Sequence, residues 1–120
     1  MKERRKFVRF DTYMDTSYEL LGSRPLKVKA RLKDVSRNGV RLSGKNALLK
    51  GSYVDMLIEV PGEGRDISAF GKVVSSKKLG KAYYDTNLEL TKIQGNDRAR
   101  LLDYVYNEWV KIQRPKLAIV

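Results

Sequence analysis

The sequence predicts a small protein dominated by β-structure: an antiparallel six-stranded β-barrel followed by a C-terminal α-helix. Along 26–33, apolar residues alternate with basic ones, which is the period of a strand with one buried and one solvated face. Further strand-like runs follow at short intervals, separated by turns that contain glycine or proline, such as 22–25 and 61–64. Antiparallel strands at this spacing favour a barrel, because closure leaves no strand edge exposed.

The predicted strands differ in how clearly their pattern separates two faces. The first has an imperfect alternation of Tyr13, Ser17 or Tyr18, and Leu20. The second is clean, and its basic side chains form either a solvated face or part of a partner or ligand surface. Its apolar positions are Leu26, Val28, Ala30 and Leu32, and its basic positions are Lys27, Lys29, Arg31 and Lys33. The predicted strands are 13–21, 26–33, 40–42, 52–60, 66–75 and 82–91.

The tail predicts a helix over about 96–114. Asn96 is a suitable N-cap, Asp97 lies in the first turn, where a negative charge is favoured, and Pro115 is expected to end the helix. Its apolar residues recur at helical spacing: Leu101, Leu102, Val105, Tyr106, Trp109, Val110 and Ile112. This stripe is expected to cover one mouth of the barrel with Trp109 in the core, and a dimer or partner interface is the alternative. The apolar end of the chain, 117–120, has no assigned role.

Composition narrows the function. The 120 residues are expected to form one domain, and a net charge of +11 favours an anionic partner: nucleic acid, a nucleotide, an anionic membrane surface or an acidic protein. The chain contains no histidine and no cysteine, which removes the commonest general base, the commonest metal ligand and any thiolate. No enzyme motif is present, so we expect no catalysis and no cofactor. No apolar run is long enough for a membrane span or a signal peptide, so we expect a cytoplasmic protein without membrane insertion.

An arginine cluster begins the chain. Arg5 and Arg9 lie four residues apart, Arg4 precedes them, and apolar residues flank them. The planar guanidinium group binds phosphate oxygens two at a time and stacks on flat rings, so such a segment could close over a phosphorylated aromatic ligand. A solvated basic tail is the alternative. We therefore divide the chain into a flexible arginine-rich segment, 1–11, and a barrel domain with its helix, 12–120.

A second polar stretch follows the second predicted strand, where Asp34, Ser36 and Gly39 stand at fixed spacing. Aspartate and serine bond to neighbouring backbone in turns, so an ordinary hairpin turn would explain the first two residues. Glycine at this position indicates either a positive φ angle or a close approach of another group to the backbone.

Together, the two stretches resemble the PilZ domain family, bacterial receptors for cyclic di-GMP. Residues 5–9 fit the family's arginine-x-x-x-arginine motif, and residues 34–39 fit its acid-x-serine-x-x-glycine motif, about 25 residues further on. The order of strands and turns also fits over nearly the whole chain. Two positions depart from the family: Asp85 stands where a glycine is usual, and Leu88 where a phenylalanine is frequent.

The resemblance implies a ligand site. Arg5 and Arg9 would bind phosphates and guanine O6 and N7, and Asp34 would accept from guanine N1 and N2. Ser36 would donate to a phosphate or guanine oxygen, and Gly39 would leave room for the ligand. Arg4 stands where, in the family, an additional arginine accompanies two stacked ligand molecules. The predicted ligand-binding residues are therefore Arg4, Arg5, Arg9, Asp34, Ser36 and Gly39.

We accordingly expect a cyclic di-GMP receptor that acts on a downstream protein partner, with two ligand molecules per chain. Binding would order the arginine segment, which is a cluster of mutually repelling cations without ligand. The alternative is a small-barrel protein that binds single-stranded nucleic acid, which the charge and the interleaved aromatic residues would suit. Nucleic acid is the less expected partner because the aromatic residues are not grouped on one strand face. An adaptor that has lost ligand binding is a third, weaker interpretation.

Overall fold

The computed structural model describes residues 10–22, 26–36 and 38–117, with side chains from 12 to 111 within those ranges. The predicted six-stranded antiparallel barrel and C-terminal helix are confirmed. The elements are β1 (Phe10–Leu20), β2 (Val28–Val35), β3 (Gly39–Gly44), β4 (Tyr53–Ile58), β5 (Ile67–Leu79), β6 (Tyr83–Ile93) and α1 (Gly95–Leu117). The strand order is β1-β2-β3-β6-β5-β4, and β4 pairs with β1, so the barrel is closed.

The barrel interior is filled by one apolar core. The largest fully buried side chains come from several strands and from the helix: Met14, Leu32, Met56, Ile58, Ile67 and Leu101. In β2, the predicted alternation is confirmed from Val28 to Leu32, whereas Leu26 lies before the strand and is 67% exposed. In β1, the prediction is wrong for Tyr13 and confirmed for Tyr18, which is buried, and for Leu20, which packs against the core. Met14 and Tyr18 face inwards with Thr12 and Thr16, and Tyr13 is 69% exposed.

The strand boundaries differ from the predicted ones where polar residues continue a ladder. Strand β1 starts at Phe10, three residues early, because Phe10 pairs with Val35. The β5–β6 hairpin extends to Leu79, and its turn contains Gly80 with a φ of 63°. Only residues that tolerate the left-handed region suit that turn, so the glycine position, and not the polar run before it, determines where the hairpin reverses.

Helix α1 packs against the barrel, mainly against β1. Leu101 and Val105 are fully buried in the core, so this part of the apolar stripe packs as predicted. The prediction for Trp109 is wrong: it is 40% exposed and its ring lies 6.2 Å from that of Tyr106.

The ends of α1 also differ from prediction. The N–H of Arg98 donates to the carbonyl of Gln94 at 2.9 Å, so Gln94, and not Asn96, occupies the N-cap position. Asp97 lies in the first turn, as predicted. The helix also continues past Pro115 to Leu117. The proline removes one backbone donor and does not end the helix at its own position.

An ion-pair cluster connects the start of α1 to the β4–β5 loop. Arg100 donates to Glu63 through Nε at 2.9 Å and Nη2 at 2.6 Å, to Asp97 through Nη1 at 2.8 Å, and to the carbonyl of Arg65 at 2.7 Å. The hydrogen bonds to Glu63 and then to Asp97 raise the pKa of Arg100 above its usual value.

Among the described residues, no helix is long and apolar enough to cross a membrane.

Candidate ligand-binding site

The second polar motif forms the turn of the β2–β3 hairpin. The backbone N–H of Ser36 donates to the carbonyl of Gly39 at 2.9 Å, and the Ser36 hydroxyl donates to the same oxygen at 3.3 Å. The N–H of Leu90 donates to the carbonyl of Asn38 at 2.8 Å, which connects the turn to β6. Ser36 therefore makes the backbone contact that an ordinary turn predicts, and its hydroxyl would have to leave Gly39 to reach a ligand.

Gly39 is required here by a close approach and not by its backbone angle. Its φ lies outside the left-handed region. A Cβ at this position would lie 3.0 Å from the carbonyl oxygen of Leu88 and 3.7 Å from Ser36 Oγ. Because Leu88 belongs to the β6 ladder and pairs with Val40, its carbonyl has little freedom to move. Gly39 thus allows the hairpin to lie close against β6.

We expect Gly39→Ala to lower the free energy of unfolding by about 1–3 kcal/mol, because the added methyl group is forced against fixed backbone. Urea denaturation followed by circular dichroism measures this. Gly95→Ala is the matched control, since a Cβ at Gly95 meets nothing within 4 Å and its φ is not positive. Equal stability of the two variants would contradict the close-approach interpretation.

Asp34 is buried near the end of β2, with 2% of the residue exposed. It pairs directly with Arg41 across the β2–β3 ladder, and Arg41 Nε lies 2.8 Å from Asp34 Oδ2. A register shift between Leu32 and Asp34 places Lys33 in a bulge beside this pair. An uncompensated buried carboxylate would be costly, and Arg41 provides Asp34 with a charged partner across the ladder.

A second buried carboxylate, Asp85 of β6, joins the pair. Its Oδ2 lies 3.4 Å from Arg41 Nη1 and 3.5 Å from Lys33 Nζ. Arg41 therefore lies between two carboxylates on neighbouring strands. We call Lys33, Asp34, Arg41 and Asp85 the acidic-basic cluster. Arg41 and Lys33 are the accessible side chains of the cluster, with 31% and 25% of them exposed.

The predicted arginines Arg4, Arg5 and Arg9 lie outside the described residues. The first described residue after them, Phe10, pairs with Val35, and Asp11 pairs with Asp34. The chain that carries the arginine motif therefore leads directly to the hairpin that carries Asp34, Ser36 and Gly39.

A basic groove runs along β2 beside the cluster. Its volume is about 810 Å³, and exposed Tyr13 and Tyr83 contribute to its wall. Its basic lining residues are Lys27, Lys29, Arg31, Lys33 and Lys45, and Asp15 is the one acidic residue among its described lining. Because Lys33 belongs to both features, the groove and the acidic-basic cluster form one continuous charged surface.

Sequence reasoning missed Arg41 and missed the role of Asp85. Arg41 lies two residues after the motif glycine, and its charge alone carries no signal among 25 basic residues. In the sequence, Asp85 stands out only as a departure from glycine. The two residues are 44 positions apart, and the β3–β6 register brings them together.

Among the described residues, no group of three or more His, Cys, Asp or Glu side chains could hold a metal ion.

Comparison with known proteins gives a family and a fold. A family model described as the PilZ domain matches residues 3–107. No curated protein matches the sequence at a significant level. The solved structure of Bacillus subtilis inhibitor of motility, MotI/DgrA, superposes with a TM-score of 0.74 at 19% identity, covering 92% of this chain and 53% of that one.

Two further structures were solved with cyclic di-GMP. The PilZ domain of YcgR from Escherichia coli has a TM-score of 0.72 at 14% identity and covers 98% of this chain and 100% of that one. The K. pneumonia MrkH complex has a TM-score of 0.69 at 16% identity and covers 96% of this chain and 57% of that one. The chain thus spans about half the length of MotI/DgrA and MrkH. At these identities, the likeness shows the fold alone.

Proposed function

Because the chain belongs to the PilZ domain family, we propose that it is a receptor for cyclic di-GMP and not an enzyme. The observation that carries the proposal is the collection of Asp34, Ser36 and Gly39 on one hairpin, next to the strand that continues from the arginine motif. The two similar structures solved with this ligand, YcgR and MrkH, support the same ligand class.

Cyclic di-GMP carries two phosphodiester charges and two guanines, and the proposed roles follow from these groups. Arg5 and Arg9 bind phosphates and the O6 and N7 acceptors of guanine, since a guanidinium group suits both. Asp34 accepts from the guanine N1 and N2 donors. Ser36 exchanges its bond to Gly39 for one to a phosphate or guanine oxygen. Gly39 keeps the hairpin close to β6, which leaves the hairpin surface open to the ligand.

The signal is transmitted by ordering of the arginine segment. Without ligand, its cations repel one another, and with ligand the phosphate charges compensate them and hold the segment against the barrel. The segment can respond only because the ligand has different affinities for the two arrangements. A downstream protein partner then recognises the ordered form.

Calorimetric titration should give a dissociation constant for cyclic di-GMP in the nanomolar to micromolar range, with weaker or no uptake of GTP and of a short RNA. We expect a stoichiometry nearer two ligands per chain than one. Arg4→Leu should reduce the stoichiometry towards one and leave binding detectable, because Arg4 is the additional cation for the second ligand molecule.

Lys2→Leu is the control for Arg4→Leu, since it removes one charge from the same segment outside the motif. Wild-type protein that takes up no cyclic di-GMP at micromolar concentrations would contradict the proposed function. A wild-type stoichiometry of one, or one that Arg4→Leu leaves at two, would contradict only the role of Arg4.

Binding of single-stranded nucleic acid is a second candidate, and the basic groove with its exposed tyrosines favours it. Such binding should weaken steeply with salt, with a slope of log affinity against log salt of about −0.7 for each neutralised phosphate. Cyclic di-GMP, with two charges and many base-specific contacts, should lose much less affinity between low and physiological salt.

A further inference from the structure

Asp34 and Arg41 present a hydrogen-bonding pattern that matches one edge of guanine. The two residues face each other directly across the β2–β3 ladder, and their charged groups approach to 2.8 Å. A carboxylate offers only acceptors and a guanidinium group offers only donors. The pair therefore places acceptors beside donors on one hairpin, with Asp34 buried and Arg41 the more accessible of the two.

The Watson–Crick edge of guanine carries the complementary row: the N2 donor, the N1 donor and the O6 acceptor. A carboxylate that accepts from N2 and N1 has O6 immediately beside it, where a donor is needed. Arg41 is the cross-strand partner of Asp34, its guanidinium group lies beside the carboxylate, and 31% of its side chain is exposed. An adenine would meet the pair with the wrong pattern, because it has a donor at position 6 and an acceptor at N1.

The acidic-basic cluster is also not fully satisfied by the described residues. Asp85 Oδ1 is a buried acceptor without a hydrogen-bond partner there, whereas Arg41 Nε is paired with Asp34 Oδ2 at 2.8 Å. Buried polar groups are usually paired, so the unpaired oxygen beside Arg41 indicates a network that another group can complete. Asp85 holds the far side of Arg41 through Nη1 at 3.4 Å, which limits how the guanidinium group can turn.

We propose that Arg41 is a ligand-binding residue that donates to guanine O6, and that with Asp34 it recognises the Watson–Crick edge of one guanine. Asp85 is a positioning residue that orients Arg41. This inference rests on the proposed function, because it assigns a further contact within the same site. It makes rejection of adenine depend on two side chains: Asp34 excludes the N1 acceptor, and Arg41 excludes the amino group at position 6.

Three cyclic dinucleotides separate the two contacts. Cyclic di-IMP has O6 and the N1 donor of guanine but lacks the N2 amino group, and cyclic di-AMP lacks all three features. Arg41→Met should weaken cyclic di-GMP and cyclic di-IMP by the same factor, about tenfold or more, because both carry O6. Binding of cyclic di-AMP should change little or improve. The ratio of affinities for cyclic di-GMP and cyclic di-IMP should therefore stay at its wild-type value.

A purely structural Arg41 predicts a different outcome. If Arg41 only orients Asp34, its loss should reduce recognition of N2, and the ratio between cyclic di-GMP and cyclic di-IMP should fall. Arg41→Gln is a second variant that keeps the site polar. Its amide can donate to O6 or accept from an adenine amino group, so it should lose guanine preference through improved binding of cyclic di-AMP.

Arg31→Met is the matched control, because Arg31 is an exposed arginine on the adjacent strand β2 and pairs with Ser43 instead. It should leave all the affinity ratios between the three dinucleotides unchanged.

Asp85→Asn keeps nearly the same side-chain shape as Asp85. It should weaken cyclic di-GMP and cyclic di-IMP by one common factor, smaller than in Arg41→Met, which keeps the test open if the Arg41 variants fail to fold. Unchanged binding in Arg41→Met, or a changed ratio of cyclic di-GMP to cyclic di-IMP, overturns the inference and leaves the proposed function standing. Wild-type protein without cyclic di-GMP binding overturns both.

Discussion

Arg9→Ala should weaken binding of cyclic di-GMP by about ten- to a hundred-fold or more, because each charge-assisted hydrogen bond to phosphate contributes roughly 1.5–3 kcal/mol. Arg9 is bonded to Phe10, whose backbone pairs with Val35. A guanidinium group at this place is proposed to bridge the ligand and the hairpin. Calorimetric titration of the variant and the wild type measures the loss.

Arg9→Lys should not restore the affinity. Lysine keeps the charge but presents a single ammonium group, which cannot bind two oxygens in one plane or stack on a guanine. Recovery of most of the affinity by lysine would mean that the contact depends on charge alone, as expected for a polyanion held by the general field of the protein.

Stability without ligand is the second measurement on the Arg9 variants. A ligand-binding arginine should leave the melting temperature of the free protein nearly unchanged. Arg65→Ala is the matched control, because Arg65 lies in the β4–β5 loop with 70% of its side chain exposed, far along the chain from the motif. A large fall in the melting temperature for Arg9→Ala alone would make Arg9 a structural residue.

The barrel could be predicted because its signals are local. Alternation along β2 and glycine-containing turns report directly on burial and chain reversal, and both survived in the structure. Only part of the inward face of β1 could be predicted, because Thr12 and Thr16 face inwards while Tyr13 faces solvent. Small hydroxyl residues fit a narrow barrel interior, whereas the size and polarity of tyrosine allow either face.

The candidate site was predictable only in part for a related reason. Asp34, Ser36 and Gly39 stand close together in the sequence, so a motif reveals them. Arg41 and Asp85 acquire their role from strand register, which sequence spacing does not contain. The reason for Gly39 also emerged only in three dimensions, since the group that approaches it belongs to Leu88 on β6.

The sign of the effect of Asp34→Ala separates the receptor from the nucleic-acid-binding alternative. In a receptor, the carboxylate accepts from guanine N1 and N2, so its removal should weaken cyclic di-GMP binding by about tenfold or more. Most of the preference for guanine over adenine cyclic dinucleotides should disappear with it. In a protein that binds nucleic acid through its positive field, the same change removes a negative charge and frees Arg41 for phosphate, so RNA binding should become tighter.

Asp55→Ala provides the matched control for charge. Asp55 lies on β4, which pairs with β1 and β5 and not with β2 or β3. In the nucleic-acid alternative, both variants gain affinity, because a long-range field responds to net charge, and Asp34→Ala gains more because it also frees Arg41. In the receptor, only Asp34→Ala changes the affinity for cyclic di-GMP.

Because Asp34 is buried and paired with Arg41, the Asp34→Ala variant must also be shown to remain folded at the temperature of the titration. A folded Asp34→Ala protein that keeps the wild-type affinity and guanine preference would contradict the proposed role of Asp34. Tighter RNA binding without any uptake of the dinucleotide would instead establish the alternative.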